Sequence, residues 1–339
     1  MLNVTIDQET IRIGERFTVT FQRTLRIPDD GRAYPLPPGL GRFPILKVED
    51  YLDRVPVLWR EHGGAFIPMY QREALWLGFH AAPWKPNAVK IAVGSVNAIS
   101  GEPDDKALSA DPQDYVVCPE QPWLDGIHTG PGLVRQFVAM PLGEGYTVEA
   151  ALTSGESIGG IQITVYEPKS GRFPEEEPVK PERGPLRFAM PKAGRNATMG
   201  LGAGGTMQQK IYPDPHGIEV WDQDNCGRVF IHIINSAEYF AITGLAPPPT
   251  PIDAKTYTEY GFPWFDLYDE TKGDVPSPKR LAQAKTISAR DAERGDTGHN
   301  DASFEVPDSQ VRKLGSNNSR AEEFQPTSPD SPGHSPERE

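Results

Sequence analysis

The chain has 339 residues, a net charge of −13 and 37% hydrophobic residues, with 33 Gly and 35 Pro. So much Pro and Gly argues against a helical protein, because Pro breaks the helix ladder and Gly weakens it; short strands joined by turns suit it better. The negative charge disfavours unaided binding to nucleic acid or an anionic membrane, where Lys and Arg must neutralise phosphates, and no window approaches the roughly 18 apolar residues of a spanning helix.

From the N-terminus, Val4–Ile6, Ile11–Ile13 and Phe17–Leu25 read as strands. In the third, Phe17, Val19 and Phe21 alternate with Thr18, Thr20 and Gln22, the period of a half-buried strand. Met1–Ile13 has no signal-peptide pattern, and Cys118 and Cys226 make no disulfide framework, so a reducing, cytoplasmic setting is expected. Pro28–Pro44 reads as a connection, and Pro56 argues against one continuous helix over 50–60.

The middle of the chain carries the clearest strand signal. Leu133–Met140 is an apolar strand, and Tyr146–Leu152 and Ile161–Tyr166 read as a hairpin around the Gly- and Ser-rich loop Thr153–Gly160. The Pro/Glu/Lys-rich stretch 168–185 reads as a linker between a first β-rich domain, 1–167, and a second, 186–275. The expected fold is therefore mainly β, two sandwich-like domains, followed over 276–339 by a short helix and a disordered tail too polar to offset its chain entropy. The tail carries Ser328-Pro329, Ser331-Pro332 and Ser335-Pro336, with Ser277-Pro278 upstream, a spacing that suits proline-directed phosphorylation.

An internal repeat aligns Met69, Gln71, Lys90, Val93 and Asn97 with Met207, Gln209, Arg228, Ile231 and Asn235, and then Ala98–Gly101 with Ala241–Gly244. It predicts that 64–101 and 202–244 are similar strand–hairpin–strand units.

Motifs for chemistry fail their context. Gly155-Glu156-Ser157-Ile158-Gly159 has the spacing of a nucleophile elbow, but a strand rather than a helix follows. Gly200–Gly205 contains GxGxxG, again without a following helix, and reads as a flexible lead-in loop. Asp222–Gly227 begins like a calcium loop, but Ile233 stands at the twelfth position where a Glu is needed, so a hairpin turn is expected. No cofactor is expected. His232, inside an apolar strand, is expected to be a hydrogen-bonded core histidine.

Two polar groups remain. The segment 118–128 offers Cys118, Asp125 and His128 as catalytic candidates on a loop, where function tends to sit. His216, Glu219, Asp222 and Asp224 form a weaker candidate metal site, with solvated turn residues as the ordinary explanation. The six tryptophans are core by default, or a stacking platform if exposed.

The blocks GlnProTrpLeuAspGly (121–126), ArgGlnPheValAlaMetProLeuGly (135–143), GlyGlyIleGlnIle (159–163) and ThrTyrThrGluTyrGlyPheProTrpPheAspLeuTyrAsp (256–269) resemble those of a group of microbial and fungal proteins with no known activity. The resemblance spans most of 1–275 and implies no functional residue. The leading expectation is a non-enzymatic interaction or ligand-binding protein whose partner is a protein, a small molecule or a sugar. The alternatives are a hydrolase using the Cys118–His128 loop and a carbohydrate-binding module using exposed tryptophans.

Overall fold

The computed structural model describes residues 1–156, 158–176, 198–266, 272–296 and 303–313. The strands, in chain order, are β1 (Val4–Ile6), β2 (Ile11–Ile13), β3 (Phe17–Thr24), β4 (Ala33–Tyr34), β5 (Gly39–Arg42), β6 (Leu46–Lys47), β7 (Ala65–Met69), β8 (Ala74–His80), β9 (Asn87–Val93) and β10 (Val96–Asn97). They continue with β11 (Val116–Cys118), β12 (Trp123–Leu124), β13 (Gly126–Gly130), β14 (Leu133–Pro141), β15 (Ile161–Pro168), β16 (Thr198–Gln208), β17 (Trp221–Asn235), β18 (Trp264–Asp266) and β19 (Val311–Lys313). The helices are short: α1 (Val57–His62), α2 (Val148–Leu152), α3 (Ser236–Thr243), α4 (Ala254–Glu259), α5 (Lys279–Ala282) and α6 (Ile287–Arg294). Strand makes up 39% and helix 17%, so the protein is mainly β.

Two rows of strands carry the fold. In the first, β1–β2–β3–β8–β14–β16 pair antiparallel in that order. In the second, β7 lies parallel to β17, and β17–β15–β9–β11 continue antiparallel. The rows join where Thr198 and Met199 of β16 meet Ile234 and Ile233 of β17. Alternation decides what each row buries. Val19, Phe21, Leu77 and Phe79 from the first row and Ile91, Ile161, Ile163 and Ile231 from the second enter one core cluster. Full burial of each such side chain contributes about 1.5–3 kcal/mol.

This pairing replaces the two expected domains with a single sheet network. β16 and β17 lie beyond the 168–185 stretch, yet they pair with β14 and β15 before it and share their core. Of that stretch, 177–185 falls outside the described residues.

Several local expectations change for physical reasons. Residues 148–152 form α2, not a strand: Thr147 Oγ1 accepts from Ala150 N at 3.1 Å, an N-cap the alternating pattern conceals. Gly200–Gly205 lies inside β16 rather than in a loop. A Cβ at Gly204 would stand 2.5 Å from Val138 Cγ2, and one at Gly205 2.2 Å from the Pro28 carbonyl oxygen, so glycine there serves close approach. Asp222–Gly227 is no hairpin turn: it lies within β17, where Cys226 and Gly227 pair with Tyr166 and Val165 and a register shift separates them from the Trp221–Pro168 pair. The aligned repeat segments differ in element order: 64–101 contains β7 to β10, whereas 202–244 contains the end of β16, β17 and α3.

The C-terminal part is packed further along than expected. Two short helices replace the expected one. Asp291 is buried against Arg72 at 2.7 and 2.8 Å. Phe304 packs its ring against Tyr34 and Trp264, and β19 pairs with β18. The apolar residues that do this are few but placed together. Residues 314–339, with the three clustered Ser-Pro pairs, fall outside the described residues. Among the described residues no helix is long and apolar enough to cross a membrane.

Candidate functional site

Of the three residues expected to act together between 118 and 128, Cys118 and His128 sit on strands that pair with different neighbours, and Asp125 lies between two strands. Cys118 ends β11 opposite Asn87 of β9, and is fully buried. Its Sγ lies 3.4 Å from the Gln121 carbonyl oxygen. Burial pushes the thiol well above its ordinary pKa, and the charge of Glu120 adds to the effect. Cys118 is thus a core thiol and not a loop group; a thiol so placed resists forming the reactive thiolate.

Asp125 joins β12 to β13 and is fully buried. Gln209 clamps it twice, donating from Nε2 to Oδ2 at 3.0 Å and accepting from the Asp125 amide at 2.9 Å. His128, on β13 and equally buried, places Nε2 3.7 Å from Asp274 Oδ2, ion-pair rather than hydrogen-bond distance. Burial opposes the Asp274 charge, but His128 and the amides of Gly132 and Ile211 outweigh it and hold the carboxyl below its usual range. The contacts of Cys118, Asp125 and His128 therefore run to three separate partners. Gln209 and Asp274 are the residues sequence reasoning missed, and no local pattern marks them.

The second polar group disperses as well. His216 meets Phe173 and Trp221 edge-on, Glu219 is exposed, and Asp222 accepts from the Asp224 amide at 3.2 Å. The neighbouring Asp214 does the bonding: its carboxylate accepts from Tyr115 Oη at 2.6 Å, Trp221 Nε1 at 2.9 Å and the His216 amide at 2.8 Å. Among the described residues no three His, Cys, Asp or Glu side chains stand close enough to hold a metal ion.

Ser157 lies outside the described residues. The residues beside it are tied to α2, since the buried Glu149 carboxylate accepts from the amides of Ile158 and Gly159 at 3.2 and 2.9 Å. Of the tryptophans, Trp59, Trp76, Trp123, Trp221 and Trp264 are buried and Trp84 is half-buried, so no exposed platform of two is present.

A different feature stands open. Along β17, Arg228, Phe230 and His232 alternate onto the face away from the main core. Trp59 and His62, three apart on α1, share one helix face and meet them. His62 stacks on Phe230 at 4.4 Å and 3°, and Trp59 on His232 at 4.7 Å and 14°. Arg228 lies over the Phe230 ring at 5.0 Å. Beside this stack a cleft of about 530 Å³ opens between β1, the end of β6, the end of α1 and β17.

The cleft is basic in a protein that is acidic overall. Lys47, Arg60, His62 and Arg228 line it, against the single carboxylate of Glu49. Lys47 reaches Glu49 at 3.3 Å, and Arg228 reaches Asp104 at 2.6 Å. Arg60 is exposed and makes no ion pair among the described residues. His62 Nδ1 is shut off from solvent with no hydrogen-bond partner there. A second cleft, of about 420 Å³, mixes Arg26, Arg72 and Lys255 with Glu73 and Asp253. Its charges are largely committed: Glu73 accepts from Arg23, Arg72 bonds Asp291, and Asp253 caps α4.

No family model matches the chain, and no curated protein and no solved structure matches it. The four sequence blocks lie on β12–β13, β14, the start of β15, and α4–β18.

Proposed function

We propose that this protein is a non-enzymatic ligand-binding protein and that the cleft between β1, β6, α1 and β17 is its binding site. The observation that carries the reading is the contrast between the two regions. In the 118–128 segment Cys118, Asp125 and His128 are buried and held by contacts within the core, whereas the cleft is lined by an exposed Arg60 that makes no ion pair among the described residues. Nucleophilic catalysis needs a nucleophile and a base within hydrogen-bond reach, and a buried thiol of raised pKa supplies neither thiolate nor access. The cleft volume falls within the roughly 300–1,000 Å³ of small-molecule sites.

The test has two arms. Thermal denaturation of the full chain against a small-molecule panel should find ligands that raise the melting temperature, since a ligand at 100 times its Kd stabilises by about 2.7 kcal/mol. Chromogenic esters, amides and phosphates should show no turnover. Turnover lost in a folded Cys118→Ala or His128→Gln variant would overturn the proposal in favour of the hydrolase.

A further inference from the structure

We infer that the cleft takes a small organic anion, with an oxyanion head on Arg60 and an aliphatic body against β1 and Leu52; this rests on the reading of the cleft as a binding site. The head follows from the charges. Glu49 is offset by Lys47 at 3.3 Å, and Arg228 by Asp104, which leaves Arg60 as the cation free to meet a ligand. A guanidinium offers a planar fork of donors that matches carboxylate or phosphate oxygens, and a cationic ligand would meet repulsion from Arg60.

The body follows from what is left to contact. Phe230 already stacks with His62 and lies under Arg228, so its ring is committed within the protein. The remaining apolar side chains with open surface at the cleft are Val4, Ile6 and Leu52, with the buried Val48 behind them. Val4 and Ile6 are half-buried, and Leu52 is 46% exposed, so each leaves apolar surface open to a ligand. A short alkyl chain fits these walls better than a flat ring, which would need a free aromatic face.

The test is a titration of the full chain, labelled at Ile, Leu and Val methyl groups, followed by NMR. Val4, Ile6, Val48 and Leu52 report on the cleft. The probes are hexanoate, monobutyl phosphate, 1-hexanol and hexylamine, of similar length but different head. The expected result is saturable movement of these methyl signals with hexanoate or monobutyl phosphate, binding at least tenfold weaker for 1-hexanol, and none for hexylamine. The stronger of the two anions identifies the head as carboxylate or phosphate. Arg60→Gln, at an exposed position, should weaken the anion about tenfold or more, the worth of a charge-assisted hydrogen bond. Equal binding of 1-hexanol and hexanoate at these methyls, or an Arg60→Gln variant that binds as the wild type does, would overturn the anionic class and leave the cleft standing as a site. If no probe moves these methyls, the cleft reading falls and the anion with it.

Discussion

His232 gives the sharpest prediction about stability. It sits on β17, 2% exposed, flat against Trp59, with Nε2 3.1 Å from the Gly63 carbonyl oxygen. A carbonyl only accepts, so Nε2 carries the proton and the ring is neutral with Nδ1 bare. Burial pushes its pKa down to about 4; the Gly63 carbonyl opposes this weakly and the nearby His62 reinforces it. The unfolded chain titrates near 6.5, so between about pH 6.5 and 4 the unfolded state holds more protons and stability falls as the pH falls. At pH 5 the loss relative to pH 7.5 comes to about 2 kcal/mol. The perturbation is His232→Phe, which keeps a ring against Trp59 and removes the titration. Urea unfolding of both proteins at pH 7.5, 6 and 5 is the assay. The variant should be less stable at pH 7.5 by about 1 kcal/mol, the hydrogen bond to Gly63 being lost, and this deficit should vanish and reverse towards pH 5. Parallel pH profiles for the two proteins would refute the reasoning.

Three further outcomes follow from single contacts. Gly126→Ala would place a Cβ 1.8 Å from the Arg135 carbonyl oxygen inside the β13–β14 pair, and should cost more than about 3 kcal/mol or prevent folding; Gly143→Ala, at φ +81° but with nothing within 4 Å, should cost only about 1 kcal/mol in the same melting assay. Asp291→Ala removes the two bonds from Arg72 and one from Tyr146 and leaves the buried guanidinium only the longer contact with Asp296 at 4.0 Å as an ion pair, so about 2–3 kcal/mol should be lost, with hydrogen exchange quickening across α6. Equal exchange in α6 of variant and wild type would show that the pair does not hold the helix. With a thiol reagent at pH 8, the half-buried Cys226 should react in the native protein and Cys118 only after unfolding; rapid native reaction of both would contradict the burial of Cys118.

Much of the strand content is legible because it is local. Phe17, Val19 and Phe21 alternate with polar neighbours, and Ile161, Ile163 and Val165 do the same, which marks both as strands; the expected half-burial does not hold, since Thr20, Gln22, Gln162 and Thr164 on the other faces are buried as well. The apolar run at 133–140 is an equally local signal. His232 sits buried and hydrogen-bonded as its apolar strand implies. The signals that misled are the ones with two physical uses. Gly200–Gly205 reads as a loop because glycine is permissive, but serves a strand because glycine is small. The polar run 222–227 reads as a turn, but it lies within β17, where Cys226 and Gly227 pair with β15 and the rest forms an irregularity in the ladder.

The residues themselves thus settled that the chain is β-rich and where its clearest strands run, because a period of two depends on neighbours a few positions away. Tertiary structure alone decided the rest. Cys118, Asp125 and His128 are close in sequence yet divide among β9, Gln209 and Asp274, because β11 and β13 pair with different strands. Phe230 and His62 are far apart in sequence yet stack at 4.4 Å, because β7, which follows directly on α1, pairs parallel with β17 and brings the helix onto its outer face. A side chain's chemistry depends on what stands within a few ångströms of it, and in a sheet of non-local pairs those neighbours are set by strand order, which no local pattern encodes.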